Sequence, residues 1–215
     1  PACEVTGDLM NVAEDEFSPE IVVTQLADES PAYQLSRLSE MGEIIRSVVR
    51  KRIKGKRLPV AENWRKLLDK HLKEVKVPPE DRDREERARQ EKAAALQELA
   101  ESRFSVLIGP AGTGKTLLLA VLCTQGDVAA GDVLLLAPTG KARVRMEQAA
   151  KEKGLKLTGY TIAQFLSHCG RYDGSTGRYN LSDRKAGETA ETVIVDEASM
   201  LTEEMLAALL DSLQG

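Results

Sequence analysis

Cysteine is scarce and scattered: Cys3, Cys123 and Cys169 are odd in number and far apart. That pattern excludes a disulfide framework or a thiolate metal cluster and points to a reducing compartment. Only two histidines occur, His71 and His168, each without a partner motif, so both are read as packing or surface residues. No apolar run approaches the roughly 18 residues that a membrane span needs. A basic excess is missing too, since 30 Lys and Arg face 34 Asp and Glu for a net charge of −4. Global attraction to nucleic acid is thereby excluded, while locally placed phosphate contacts stay open. These absences lead us to expect a soluble, cytoplasmic protein without membrane contact.

What is present centres on Gly109-Pro110-Ala111-Gly112-Thr113-Gly114-Lys115-Thr116, which matches the phosphate-binding loop pattern G-x-x-x-x-G-K-[ST] at every fixed position. Glycines let the backbone curl so that successive N–H groups face one concavity, with no Cβ in the way of a polyphosphate. Lys115 is placed to reach β/γ-phosphates, and the Thr116 hydroxyl to ligate Mg²⁺. The flanks agree with the motif. Arg103-Phe104-Ser105-Val106-Leu107-Ile108 reads as a short strand entering the loop, and Thr116 to Cys123 as a buried, wholly apolar helix leaving it.

A second acidic site complements the first. The β-branched run Thr192-Val193-Ile194-Val195 reads as a covered strand ending in Asp196-Glu197. Two carboxylates at a buried strand end call for a cation or a water network. Asp196 is expected to hold Mg²⁺ and Glu197 to polarise the water that attacks the γ-phosphate. Taken alone, the pair also suits a solvated turn or a helix N-cap near Thr202. Beside the phosphate loop it makes a nucleoside triphosphatase the reading. Between the two sites, the strand Asp132 to Ala137 runs into Pro138-Thr139-Gly140-Lys141-Ala142-Arg143. That places Thr139 and Lys141 at the carboxyl edge of the sheet, where open α/β sheets bind ligands. A phosphodiester strand suits those groups, and so does a plain strand–helix connection with an exposed lysine.

Three strings in order, Gly109 to Thr116, Leu136-Ala137-Pro138-Thr139-Gly140-Lys141-Ala142 and Val195-Asp196-Glu197-Ala198-Ser199-Met200-Leu201, resemble motifs I, Ia and II of RecD-type superfamily 1 DNA helicases. Thr161-Ile162-Ala163-Gln164-Phe165-Leu166 resembles the threonine-led helix of that family, with Ala163 where histidine is common. Arg89-Gln90 resembles the region that supplies an adenine-contacting glutamine, with Gln97 as the alternative to Gln90. The resemblance runs from the mid-eighties onward. It implies an α/β fold, the first RecA-like P-loop domain with a parallel sheet flanked by helices. It also implies ATP as substrate, Mg²⁺ as cofactor and single-stranded DNA passing near Thr139, Lys141 and Thr161. The family completes its ATP site with arginines from a second RecA-like domain. We expect this chain to be a piece of such a protein, able to bind nucleotide and poorly active alone. The rival expectation is another P-loop ATPase, of AAA+ or signalling type, that acts on protein partners.

The organisation that follows is an amino-terminal helical, partly irregular segment over 1–78 and the ATPase domain over 79–215. Residues 1–29 read as loosely structured. Ser30-Pro31 reads as a helix start, with Leu35, Leu38, Met41, Ile45, Val48 and Val49 at helical spacing and a stop at Gly55. A second helix is expected from near Pro59, carrying Trp64, Leu67, Leu68 and Leu72 on one face. The six basic residues within Arg50 to Arg57 read first as a solvated helix end and second as a nucleic-acid contact. The segment Glu80 to Glu91 reads as an exposed helix with i,i+4 ion pairs. Gly170 to Tyr179 reads as a β-hairpin whose Tyr and Arg side chains hold it together or stack on bases.

Overall fold

The computed structural model describes residues 19–72, 78–181 and 190–213. Its centre is a three-stranded parallel sheet in the order β4-β3-β7, with β3 (Val133–Ala137) in the middle, β4 (Gly159–Thr161) on one side and β7 (Thr192–Val195) on the other. Strand β3 is apolar along its length because both of its faces are covered. Leu134 and Leu136 pack with Ile162, Phe165 and Leu166 of α7 (Ile162–His168) and with Ala208 and Leu209 of α8 (Glu203–Ser212). Leu135 points the other way, joining Ile194, Cys123 and Met146 of α6 (Gly140–Glu152). Alternate residues thus feed opposite layers, as the period of two in a strand requires. The result is an α/β fold of the P-loop type, a parallel sheet flanked by helices.

Before the sheet come α1 (Ser36–Ile53), α2 (Trp64–His71), α3 (Arg82–Glu101), α4 (Lys115–Leu122) and the short α5 (Gly126–Ala130). Helices α2, α3 and α4 share one apolar cluster of Trp64, Leu68, Leu96, Ala100, Leu118, Val121 and Leu122. Charges bind the same helices at the surface. Arg89 Nη1 meets Asp69 at 2.7 Å across the α2–α3 boundary and Arg89 Nε meets Glu85 at 2.8 Å within α3. Helix α1 lies on α8, with Arg37 paired to Glu204 and Arg52 Nη2 donating to the Leu213 carbonyl at 2.8 Å. The two amino-terminal helices therefore each pack on helices that follow residue 79. Within the basic cluster, Arg52 caps the end of α8 and Arg57 pairs with Glu98 and Glu101, which favours a structural role for those two. No helix among the described residues is long and apolar enough to cross a membrane.

Two expectations are corrected. Ser30-Pro31 opens a strand and not a helix: β1 (Ile21–Gln25) and β2 (Pro31–Leu35) form an antiparallel hairpin, and α1 starts at Ser36. The turn is built by Asp28, whose Oδ1 accepts from Ser30 N and Oγ at 3.1 and 2.6 Å, with Glu29 at φ 65°. Proline at the first position of a strand removes no ladder bond that matters, so the same dipeptide serves either element. Residues 21–29 are thus ordered, and the expectation for 1–18 lies outside the described residues. The second correction concerns 103–108, which bend at Arg103-Phe104 and form no strand. Leu107 packs on the helical cluster, while Val106 and Ile108 are 67% and 87% exposed. Strand propensity needs a neighbouring ladder to act on, and among the described residues this segment has none.

The hairpin near 170–180 is present as β5 (Tyr172–Asp173) paired with β6 (Arg178–Tyr179). Tyr172 and Tyr179 face each other with ring centroids 4.9 Å apart and pack on the α7–α8 cluster. Arg171 beneath them is buried and ion-paired with Asp211 of α8. The aromatic pair therefore holds the hairpin to the core.

Candidate functional site

The loop that precedes α4 folds back on itself. Gly112 and Gly114 take φ of 78° and 86°, left-handed backbone that side chains rarely enter. A Cβ placed on either would meet nothing within 4 Å. The demand at both is conformational, and the space before the loop is open, as a ligand cradle requires. Thr113 Oγ1 donates to the Pro110 carbonyl at 2.9 Å. Lys115 Nζ donates to the carbonyls of Gly109 and Pro110 at 2.7 and 2.9 Å, so the ammonium is held across its own loop. Helix α4 begins at Lys115 with Gly114 as N-cap and no side-chain cap. Its first-turn amides are left for water or an anion, with the helix dipole favouring the anion.

Thr116 sits in that first turn, buried, and its hydroxyl donates to Asp196 Oδ2 at 2.8 Å. Asp196 is 6% exposed and extends β7, its N–H donating to the Leu136 carbonyl of β3 at 3.0 Å. Its second oxygen, Oδ1, accepts from the Glu197 N–H at 3.0 Å. The phosphate loop and the acidic strand end, 80 residues apart in sequence, meet in one hydrogen bond. Glu197 adopts φ 54°, an uncommon conformation for a residue with a side chain, worth roughly 1–2 kcal/mol of strain. Its backbone is pinned on both sides, by Asp196 Oδ1 and by the Met200 N–H donating to its carbonyl at 3.0 Å.

Thr139 and Thr161 stand at the same carboxyl edge. The β3–β4 register sets Ala137 beside Thr161, and Thr139 follows two residues on. Each threonine caps a helix: Thr139 Oγ1 accepts from Ala142 N at 3.2 Å to start α6, and Thr161 Oγ1 accepts from Gln164 N at 3.2 Å to start α7. Thr161 and Gln164 complete a reciprocal capping box. Lys141 is exposed in the first turn of α6. Gln90 lies exposed on α3 with its amide donating to Glu86 at 3.0 Å, and Gln97 donates to Glu101 at 2.7 Å. Neither side-chain amide hydrogen-bonds to the phosphate loop among the described residues.

One participant escapes sequence reasoning. Arg145 of α6 brings Nη1 to 3.5 Å from Glu197 Oε1, an ion pair spanning the site. The sole signal for it is its place four residues after Lys141 on the same helix. Cys123, at the carboxyl end of α4, is buried against Leu135, Met146 and Ile194, and burial pushes its thiol up to about 11, so it is inert filling between α4, α6 and the sheet.

Residues 87–215, more than half of the chain, match the AAA domain family. The chain belongs to that family. The AAA domain match begins within α3 and takes in the phosphate loop, all three parallel strands and α8. Over 192 residues, or 85% of its length, the chain is also 24% identical to an uncharacterized protein of Methanocaldococcus jannaschii, and it spans 16% of that relative. AAA domain membership and the parallel sheet together make this a P-loop nucleotide-binding domain, ATPase in class.

Proposed function

We propose that the chain supplies the ATP-hydrolysing motor domain of a RecD-type DNA helicase or translocase, with 79–215 as its first RecA-like domain and 1–78 as an appended segment. The observation that carries the nucleotide part is the Thr116–Asp196 contact. An alcohol and a carboxylate oxygen 2.8 Å apart, fixed by a helix start and a buried strand end, are hard oxygen donors that fit Mg²⁺. No cluster of three or more His, Cys, Asp or Glu side chains is gathered among the described residues. That agrees with an ion held by two protein groups, phosphates and water. Bound Mg²⁺ supplies charge neutralisation at the phosphate oxygens.

The chain's own groups do the rest in this reading. Gly109 to Gly114 present amides to the phosphates, and Lys115 leaves its loop carbonyls for the β/γ-phosphate oxygens. Thr116 and Asp196 hold the ion. Glu197, next to the ion site on a fixed backbone, orients the attacking water and accepts its proton. Gln90 remains the proposed adenine contact, and arginines of a second RecA-like domain complete the site.

The nucleic-acid part rests on placement. Helices α6 and α7 start side by side at the edge where α4 also starts, so capped N-termini line one side of the nucleotide site. The hydroxyls of Thr139 and Thr161 accept from their own helices and still have an O–H to donate to a phosphodiester, and Lys141 adds charge. The test is ATP turnover by the full-length protein with and without single-stranded DNA. Stimulation by DNA is expected, with Lys115→Ala losing nucleotide binding. Glu197→Gln should bind nucleotide but turn over on the order of 10²–10⁴-fold more slowly. Turnover indifferent to DNA and raised by a protein partner would move the domain to the protein-directed ATPases. Normal turnover by Glu197→Gln would remove that residue from the mechanism.

A further inference from the structure

The basic run Arg50 to Arg57 spends only part of its charge on the fold. Arg52 reaches the Leu213 carbonyl, and Arg57 holds Glu98 Oε2 at 2.7 Å and Glu101 Oε2 at 3.1 Å. Arg50, Lys51, Lys54 and Lys56 are exposed, and among the described residues none of their side chains forms a hydrogen bond or a close ion pair. Glu43, whose charge Arg50 also feels, is paired with Arg46 at 2.6 Å. Arg50 and Lys51 stand four and three residues before Lys54, which keeps helical backbone as the C-cap of α1, so the three share one face. Arg103 joins them from just past α3. Its Nε donates to the Lys56 carbonyl at 2.9 Å, and a Cβ on Gly55 would fall 2.6 Å from its Cδ. Glycine at 55 is what lets the arginine lie across the end of α1.

Five cations thus gather where the ends of α1 and α3 meet, and the nearby carboxylates of α3, Glu98 and Glu101, are already engaged by Arg57. The dipole of α1 favours cations in its last turn, yet Lys56 and Arg103 lie beyond that turn. Like charges so placed repel one another, and a polyanion relieves the repulsion. No aromatic residue occurs between positions 50 and 58, so the run offers charge and no platform for an unstacked base. That suits a duplex, whose bases are stacked inside and whose phosphates face out. We propose that this face binds the phosphate backbone of duplex nucleic acid, as a contact separate from the sheet edge at Thr139, Lys141 and Thr161. It goes beyond the motor reading and uses none of the residues assigned to ATP.

Equilibrium binding of the full-length protein to a labelled blunt duplex and to the matching single strand, over a salt series, tests it. The variant carries Lys51→Gln, Lys54→Gln and Lys56→Gln. A control carries Lys66→Gln, Lys70→Gln and Lys151→Gln, exposed lysines of α2 and α6. Each phosphate contact contributes about 0.9 to the slope of log K against log salt on a duplex. The variant should therefore lose about 3 of that slope and bind duplex more weakly. Its single-strand binding, melting curve and DNA-free ATP turnover should match wild type. Unchanged duplex affinity and slope, or the same loss in the control, would reduce the face to a solvated helix end. An equal loss on the single strand would overturn the duplex assignment, and a wild type that binds no duplex overturns the proposal outright. Turnover with single-stranded DNA is read alongside: no stimulation of wild type removes the motor reading and leaves this one to the duplex data.

Discussion

Replacing Asp196 by asparagine separates what the carboxylate does for the fold from what it does for a ligand. Asp196 is 6% exposed and accepts two hydrogen bonds, from Thr116 Oγ1 at 2.8 Å and from Glu197 N at 3.0 Å. Asparagine keeps the shape. Its carbonyl can still accept from the Glu197 amide, and its NH₂ can donate to a Thr116 hydroxyl that reverses direction. Hydrogen bonds to charged groups contribute about 1.5–3 kcal/mol and neutral ones about 0.5–1.5, so neutralising the acceptor loses about 2 kcal/mol over the pair. Against that, the desolvation of a buried ion, several kcal/mol, is removed. The two terms oppose, so the unfolding free energy without nucleotide should stay within about 2 kcal/mol of wild type, or exceed it. With Mg²⁺ and a non-hydrolysable ATP analogue at one hundred times Kd, wild type should gain about 2.7 kcal/mol, and Asp196→Asn should lose most of that gain. Urea unfolding with and without ligand reads both quantities. A drop of more than about 3 kcal/mol without ligand would make the carboxylate a structural anchor. A full ligand-linked gain in the variant would mean that it holds no ion.

Other perturbations probe the edge and the periphery. Thr161→Ala removes the cap of α7 and should cost about 0.5–2 kcal/mol in denaturant melts; single-strand affinity should fall with it, and an unchanged affinity would leave Thr161 as a cap alone. Exchanging both Tyr172 and Tyr179 for alanine should destabilise by their buried area plus about 0.5–1.5 kcal/mol for the ring pair, without altering DNA affinity of the full-length protein; weakened affinity would revive base stacking. His71 touches Thr124 Oγ1 at 3.2 Å, and burial, then the charges of Lys153 and Lys70, hold its pKa below the ordinary 6.5. The unfolded chain binds this proton more tightly than the folded one, so the His71 contribution is flat above pH 6.5 and stability declines as pH falls below it; His71→Gln should flatten that slope.

Which parts were legible in the chain, and which were not, follows from the range over which each is specified. The phosphate loop, the Asp196-Glu197 strand end, β3, β7 and the hairpin at 172–179 are each set by a run of neighbours: glycines where φ must be positive, β-branched residues where both faces are covered, a turn dipeptide between paired tyrosines. The proposed ion site asks the Thr116 hydroxyl and the Asp196 carboxylate to lie together, and they are 2.8 Å apart. Elements that depend on a remote partner were not legible. Ser30-Pro31 is an acceptable start for a helix and for an edge strand, and the pairing of Val22 with Gln34 and its neighbours decides between them. Val106 and Ile108 have strand propensity without a ladder to join, so Arg103 to Ile108 forms no strand. Arg145 illustrates the same limit at the site itself. Nothing local to α6 distinguishes it from a solvated surface arginine, and its partner carboxylate comes from a remote element, Glu197, two residues past the end of β7. A glycine would sit in the left-handed turn there without strain. A side chain at φ 54° therefore costs the fold something, which the proposed water-orienting role of Glu197 would account for.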